Sequence, residues 1–179
     1  MGDLTGRRVL MVIASQQFRD EEYAAPRKIL EAAGAAVTVA SSKTAPATGM
    51  LGMTVTPDTT IDRVDPKTVD AVIFVGGMGA TEFWDHPVAH RIAQQTLQQG
   101  KVTAAICLAP MTLANAGLLT QKRATMWPSE AAAFKQKGVL YTGQPVERDG
   151  LLITGSGPEA AESFGRAVRD AMTAAQPIR

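Results

Sequence analysis

The chain has 179 residues, 45% of them hydrophobic and 20% charged, which is the composition of one soluble globular domain with a sizeable core. Its net charge of +1, without a basic cluster, argues against nucleic acid or an acidic membrane surface as a partner. A single cysteine excludes an intramolecular disulfide and a cysteine-rich zinc site, and it fits a reducing, cytoplasmic location.

The start of the chain predicts a first strand rather than a targeting segment. Arg7 and Arg8 precede an apolar run, as in a signal peptide, but the run is too short to span a bilayer and no cleavage pattern follows it. Gly2 lacks the Ser or Thr that a myristoylation motif would require. We therefore expect one domain over residues 1–179.

Apolar runs alternate with helical patterns in chain order. The first strand, RRVLMVIAS, runs into a polar loop, QQFRD, and a helix in EEYAAPRKILEAAG; a second strand, AVTVASS, follows. Residues 44–64 are rich in Thr, Gly and Pro and predict short hairpin strands. AVIFVGG is a third strand, and Asp85 is the predicted cap of a helix over residues 88–99.

The second half of the chain continues this order. VTAAIC predicts a strand, LAPMTLANAGLL a helix, and ATMWPSEAAAFKQKG a further strand, turn and helix. Two late strands, around VLYTG and GLLITG, precede a final helix in PEAAESFGRAVRDAMTAA. Buried strands that alternate with helices predict an α/β fold with a mostly parallel sheet covered by helices, and ligands bind such sheets at the carboxyl ends of the strands.

Cys107 lies at one such end, where an apolar strand meets a helix. Ala105 and Ala109 flank it as the small residues that a nucleophile elbow needs, and Pro110 suits the first turn of a helix. The positive end of that helix would favour the thiolate. A buried structural cysteine is the other interpretation, because free cysteine is among the most buried residue types, and the pattern alone leaves both open.

The acidic loop FRDEEYAAP contributes a second candidate. Asp20 and Glu21 fit the ordinary role of acidic residues at a helix start. Glu22 shares a face with Ala25, Pro26, Ile29 and Ala33, which should turn inward and raise the pKa of its carboxyl. A buried acid there could exchange protons with a substrate, whereas the alternative is a partly exposed carboxylate at the helix start.

The glycine pair in VGGMGA follows the third strand. It lacks the spacing of a dinucleotide-binding fingerprint, so we expect no such cofactor. The N–H of Gly77 could instead form an oxyanion site with the N–H of Leu108, although a plain turn is the commoner role of such a pair.

The two histidines, His86 and His90, are spaced four apart, as metal ligands on a helix can be. No further histidine completes a site, so we expect no metal. Neither is near Cys107 in the sequence, and no Cys–His dyad is visible.

Taken together, these segments resemble the DJ-1/ThiJ/PfpI superfamily, which is similar to class I glutamine amidotransferases. The likeness covers nearly the whole chain and is carried by FRDEEYAAP, FVGG, AAICLAP with LANAGLL, RATMWPS and GLLITGSGPEAAESFG. It implies a flavodoxin-like three-layer sandwich with a small β-hairpin, a homodimer or higher homo-oligomer, and an elbow cysteine beside a protonated glutamate.

Residue by residue, the resemblance assigns the family cysteine to Cys107 and the family glutamate to Glu22. Gly77 and Leu108 match the positions that supply oxyanion N–H groups, and Gly76 and Trp127 are the further pocket candidates. The PfpI-like branch, which the chain resembles most, has a His directly after the cysteine, where this chain has Leu108.

Other departures from the family pattern concern the same neighbourhood. In the DJ-1 branch a His stands near the Trp127 position, and this chain lacks that one too. An acidic residue that PfpI-like proteins contribute across an interface has only an offset match, in Glu82.

Three functions are compatible with these residues. The first is a cofactor-free glyoxalase or deglycase that acts on small 2-oxoaldehydes or their adducts through Cys107 and Glu22. The second is an oxidative-stress-responsive redox sensor or chaperone-like protein that uses the same cysteine. The third, a cysteine peptidase or amidase, is the weakest because the histidine is missing.

Overall fold

The computed structural model describes residues 3–175. Gly2, the residue considered for myristoylation, lies outside the described residues. Both ends of the predicted domain over residues 1–179 also lie outside them. No helix within residues 3–175 is both long and apolar enough to cross a membrane.

Twelve strands occur in the described part of the chain. In chain order they are β1 (Arg8–Val12), β2 (Gln16–Phe18), β3 (Ala36–Ser41), β4 (Ala47–Gly49), β5 (Thr54–Val55), β6 (Thr59–Thr60), β7 (Ala71–Phe74), β8 (Val102–Ile106), β9 (Arg123–Ala124), β10 (Leu140–Tyr141), β11 (Val146–Asp149) and β12 (Leu152–Gly155).

Five α-helices connect them within residues 3–175. They are α1 (Asp20–Ala32), α2 (Pro87–Gln98), α3 (Pro110–Asn115), α4 (Ala131–Gln136) and α5 (Ala161–Ala174). Short 3₁₀ turns fill several connections, at Ile61–Arg63, Pro66–Thr68, Met78–Phe83, Pro128–Glu130 and Pro158–Ala160.

The main sheet has seven strands in the order β11-β12-β8-β7-β1-β3-β6. All its pairings are parallel except that of β11 with β12, at one edge. Val12 pairs with Phe74, and Phe74 with Ala105, so β1, β7 and β8 end side by side. The predicted mostly parallel sheet is confirmed, and its central strands bring three loops to one edge.

Helices cover both faces of the sheet. α1 and α5 pack against each other and against β3, β8 and β12, while α2 packs on α3, β7 and β8. The central strands are therefore buried on both faces: β7 and β8 consist of residues that are all buried. Near-continuous apolar strands of this kind are what a covered parallel sheet requires.

The small β-hairpin is also confirmed, with an addition. β4 and β5 pair antiparallel as the Thr-, Gly- and Pro-rich segment predicted, but β2 joins them in a second sheet. β2 occupies Gln16–Phe18, which the sequence predicted to be a polar loop. Such a three-residue strand has too few positions to show an alternating pattern.

One further prediction was wrong, and one strand was missed. His86, not Asp85, caps α2: the His86 Nδ1 accepts a hydrogen bond from the Val88 N–H at 3.2 Å. Asp85 instead accepts one from Asn115 at 3.0 Å. β11, at Val146–Asp149, was not predicted, because as a partly exposed edge strand it lacks a buried apolar run.

Candidate active site

Cys107 sits in the turn between β8 and α3. Its φ of +64° is one of three positive values among the described non-glycine residues, and such a conformation costs a side chain on the order of 1–3 kcal/mol. The turn is held from both sides: the Cys107 N–H donates to the Gly155 carbonyl, and the Trp127 N–H donates to the Cys107 carbonyl, both at 2.8 Å. Ala105 and Ala109 are buried, as an elbow flanked by small residues requires.

Glu22 lies on the inner side of α1, in its first turn. Its side chain has no exposed surface, and Pro26 and Leu30 continue the buried stripe along the helix. The predicted inward orientation of Glu22 is therefore what the structure has. Among charged residues, complete burial is rare unless a partner or a function compensates for it.

Gly76 explains how Glu22 and Cys107 come together. A Cβ atom on Gly76 would overlap the Glu22 Oε1 and would lie 2.6 Å from the Cys107 Cβ. Because glycine has no side chain, the loop after β7 fits between the carboxyl and the thiol without separating them. Gly76 thus contributes to the site by leaving room for the two side chains. It does not line the cavity described below.

Burial raises the pKa of Glu22 from its ordinary 4.5 to about 8. The nearby Cys107 thiol and the Arg19 guanidinium oppose this rise, and the Gly76 N–H lowers the pKa slightly. Neither carboxyl oxygen reaches the geometry of a hydrogen bond to a residue of the described chain. At neutral pH the Glu22 carboxyl is therefore mostly protonated and can donate a proton.

The pKa of the Cys107 thiol is raised to about 12. Burial is the largest cause, and the negative charge of Glu22 is the second. The sequence predicted that the start of α3 would favour the thiolate, and this prediction is wrong for the resting site. α3 has only six residues and begins at Pro110, three positions beyond Cys107, so its dipole does not outweigh the desolvation of a cysteine that is only 7% exposed.

The backbone N–H groups of Gly77 and Leu108 have the opposite effect on the pKa of the Cys107 thiol. Both lie close enough to the sulfur to lower its pKa. The negative charge of Glu22 is absent while that carboxyl is protonated, which removes one cause of the raised Cys107 pKa. A thiolate formed at Cys107 would face the two N–H donors.

A cavity of 130 Å³ opens above the sulfur. Its walls are formed by eight residues from several loops: Arg19, Met50, Gly77, Met78, Cys107, Leu108, Trp127 and Pro158. Pockets that hold drug-sized ligands measure ~300–1,000 Å³, so this one suits a ligand of only a few heavy atoms. A groove of 500 Å³ continues outward from it and shares Arg19, Trp127 and Pro158.

Four of these wall residues were not predicted from the sequence. Arg19 could have been found, since it is a basic residue in an otherwise acidic loop three positions before Glu22. Met50, Met78 and Pro158 carry no local signal, because they reach the cavity only through the hairpin and the loops after β7 and β12. Trp127, a predicted pocket residue, lines the cavity and is 42% exposed.

The histidines and Glu82 are engaged elsewhere. His90 Nε2 lies 2.7 Å from the Trp84 carbonyl oxygen, and Glu82 accepts from the Ser15 N–H at 3.1 Å. None of His86, His90 and Glu82 lines the cavity. Among residues 3–175 no group of three or more His, Cys, Asp or Glu side chains could hold a metal ion.

Comparison with known proteins agrees with this geometry: residues 7–171 match the DJ-1/PfpI family. The chain belongs to the DJ-1/PfpI family. The uncharacterised protein MJ0967 of Methanocaldococcus jannaschii is 37% identical over 95% of this chain and 84% of its own length. The deglycase PYRAB04690 of Pyrococcus abyssi is 31% identical over 83% of this chain and 90% of its own.

Other family members widen the picture. The glutathione-independent glyoxalase DJR-1.2 of Caenorhabditis elegans is 25% identical over 88% of this chain and 84% of its own length. The crystal structure of a ThiJ/PfpI domain protein from Brachyspira murdochii superposes with a TM-score of 0.92 at 29% identity, covering 95% of this chain and 98% of that one. Relatives named deglycase and glyoxalase thus belong to the same family as this protein.

Proposed function

We propose that this protein is a cofactor-free enzyme of the glyoxalase or deglycase kind, in which Cys107 attacks the aldehyde carbon of a small 2-oxoaldehyde or one of its adducts. The observation that carries the proposal is the placement of a buried, protonated Glu22 beside Cys107, below a cavity of 130 Å³. The reaction needs only a thiol, a carboxyl that moves protons and donors for an oxyanion, and this site has all three.

For methylglyoxal the first step forms one C–S bond. The sulfur adds to the aldehyde carbon and its thiol proton passes to water, while the carbonyl oxygen takes up a proton from Glu22, giving a hemithioacetal and the Glu22 carboxylate. The N–H groups of Gly77 and Leu108, which face the sulfur, are the donors placed to stabilise charge on that oxygen.

The second step is an internal oxidation–reduction with no outside partner. The Glu22 carboxylate removes the proton from the former aldehyde carbon, the electron pair moves to the neighbouring carbonyl, and its oxygen takes up a proton to give an enediol. A proton then returns to that neighbouring carbon as the hydroxyl on the former aldehyde carbon loses its own proton. The product is a lactoyl thioester on Cys107. One water hydrolyses it to lactate and regenerates the thiol, so methylglyoxal and water are converted to lactate. A Glu22 pKa near 8 suits such two-way proton transfer around neutral pH.

The experiment is to incubate the protein with methylglyoxal and measure lactate. We expect Cys107→Ala to abolish turnover, and Glu22→Gln to reduce kcat by about 10²–10⁴-fold, because a positioned proton-transfer group contributes that much. Glu31→Gln is the matched control: it changes an exposed glutamate on the same helix that pairs with Arg27.

Lactate formation no faster than with Cys107→Ala would contradict the proposal. The redox alternative uses the same pair of residues. A wild-type protein that forms no lactate, yet gains two oxygens at Cys107 in mild peroxide, would favour that alternative.

A peptidase function has less support. Such chemistry normally pairs the nucleophile with a base that a third group orients, and both histidines lie outside the cavity. The inner cavity is also too small for a peptide, whose chain would have to lie in the outer groove.

A further inference from the structure

Arg19 introduces a fixed positive charge beside the candidate nucleophile. Of the eight residues around the 130 Å³ cavity, it is the one ionisable residue other than Cys107 itself; the others are Met50, Gly77, Met78, Leu108, Trp127 and Pro158. The cavity therefore combines an apolar wall with a single cation. Because Glu22 is buried behind Gly76 and protonated at neutral pH, it does not cancel that charge.

The guanidinium is close enough to act on the reacting groups. The hydrogen bond to Glu21 is the main cause that raises the pKa of Arg19, and the charges of Glu22 and Cys107 raise it further; Arg19 in turn lowers the pKa of Glu22. Its backbone is fixed to the same turn, since the Arg19 N–H donates to the Gly76 carbonyl at 2.9 Å. Arg19 is thus held at the border between the inner cavity and the outer groove, which it also lines.

Glu21 orients Arg19 without using all of its donors. The Arg19 Nε lies 3.0 Å from Glu21 Oε1, and Nη2 lies 3.0 Å from Oε2. Nη1 makes no hydrogen bond to any residue in the described range 3–175, so it is available as a donor. The Glu21 side chain is 40% exposed, and an ion pair so open to water offsets little of the guanidinium's attraction for a second anion.

We propose that Arg19 is a substrate-binding residue that selects aldehydes or 2-oxoaldehydes carrying one negative charge, such as a carboxylate, a few bonds from the reactive carbonyl. The proposal rests on the proposed function and adds a substrate class to it. Glu21 and Glu159 line the outer groove next to Arg19 and would repel a ligand with several negative charges. The fit is therefore to a small monoanion whose aldehyde reaches Cys107 while its charged end meets the guanidinium, a geometry for which a planar fork of N–H donors is suited.

The test measures charge selection at Cys107 without turnover. Cys107 is the only cysteine, so its alkylation by iodoacetate, an anion, and by iodoacetamide, its neutral analogue, can be followed by intact mass. The ratio of the two rate constants cancels any change in the thiol pKa, because both reagents use the same thiolate. We expect Arg19→Gln to lower the iodoacetate-to-iodoacetamide ratio about fivefold, the effect of one partly screened charge.

Three further variants sharpen the measurement. Arg19→Lys keeps the charge and should retain most of the ratio, while Glu21→Gln removes the competing carboxylate and should raise it. Lys28→Gln removes one positive charge from α1, the helix that follows Arg19, at a position outside the cavity and should leave the ratio unchanged. In the wild type, added salt should slow iodoacetate more than iodoacetamide, a measurement that needs no variant.

An unchanged ratio in Arg19→Gln, or equal slowing of both reagents, would overturn the proposal, since Arg19 would then act on the thiol rather than on the reagent. A salt-independent wild-type ratio would overturn it as well. The outcome is separate from the lactate assay: a protein that forms no lactate can still show charge selection, and an active enzyme can lack it.

Discussion

At the scale of single residues, Cys107 and Glu22 are two neighbouring buried acids. Burial raises the pKa of both, and the negative charge of Glu22 raises that of Cys107 further, so both hold their protons at neutral pH. Moving the thiol proton away becomes easier only as the two backbone donors engage the sulfur. Under the proposed function, charge would form at the sulfur during the reaction and not in the resting site.

Substitution of Glu22 by Gln should change how stability depends on pH. In the folded protein the Glu22 pKa is about 8, whereas the ordinary value is 4.5. Below the lower value both states are protonated, so burial of the carboxyl costs nothing extra. Between the two values the unfolded chain ionises first, and the free energy of unfolding falls by up to about 1.4 kcal/mol per pH unit as pH rises.

Glu22→Gln should lack this loss, so the variant gains stability relative to the wild type from about pH 5 to pH 8. Urea denaturation at several pH values measures it, with Glu31→Gln as the control that follows the wild type. A difference between wild type and Glu22→Gln that stays constant over this range would show that Glu22 is already ionised when folded.

At the scale of elements, the turn after β7 depends on close backbone contact with the loop before α1. A Cβ on Gly77 would lie 2.5 Å from both the Arg19 nitrogen and the Gln17 oxygen, and its φ is +103°. The same loop is tied to the hairpin: the Asp20 carboxylate accepts from the Leu51 and Met53 N–H groups at 3.0 and 2.9 Å. Asp20 thereby presents Met50 to the cavity, a role beyond the helix-start role that the sequence predicted.

Gly77→Ala should destabilise the protein by several times the cost of a positive φ alone. Gly52→Ala is the matched control, because Gly52 has a φ of +98° but a Cβ added to it would meet no atom within 4 Å. We expect Gly52→Ala to cost about 1 kcal/mol and Gly77→Ala clearly more, with loss of Cys107 alkylation selectivity. Equal midpoints in urea denaturation for the two variants would mean that the loop yields without strain.

At the scale of the whole molecule, the parallel sheet determines which loops can meet. β1, β7 and β8 end side by side, so Glu22 at the start of α1, the glycine pair and Cys107 converge although 85 positions separate Glu22 from Cys107 in the chain. The carboxyl edge of such a sheet is where ligands bind in open α/β folds.

The homodimer expected from the family resemblance stays a prediction. Some large apolar residues are exposed, including Leu51, which is 65% exposed, and Met78, which is 59% exposed. Contacts between subunits commonly cover such side chains. Sedimentation velocity over a range of concentrations should give a species of twice the mass of one chain. A single species of one chain mass at every concentration would contradict it.

The sequence by itself determined the parallel sheet and marked Cys107 and Glu22 as candidates, because each leaves a local trace: apolar runs, small residues around Cys107, and a carboxyl in phase with an apolar helix face. It did not determine that His86 caps α2, because the neighbouring Asp85 is also a suitable cap residue. It did not determine the edge strand β11 either, because a partly exposed strand has only a weak apolar pattern.

Only the tertiary structure decided the environment of the site. The raised pKa of Cys107 depends on how much of the sulfur is buried and on how near Glu22 lies, neither of which a local pattern contains. The cavity walls from Met50, Met78 and Pro158, and the placement of Arg19 among them, arise from loops far apart in the chain. Residue type and period set each element, but desolvation and charge at the thiol depend on contacts that form only when those elements pack.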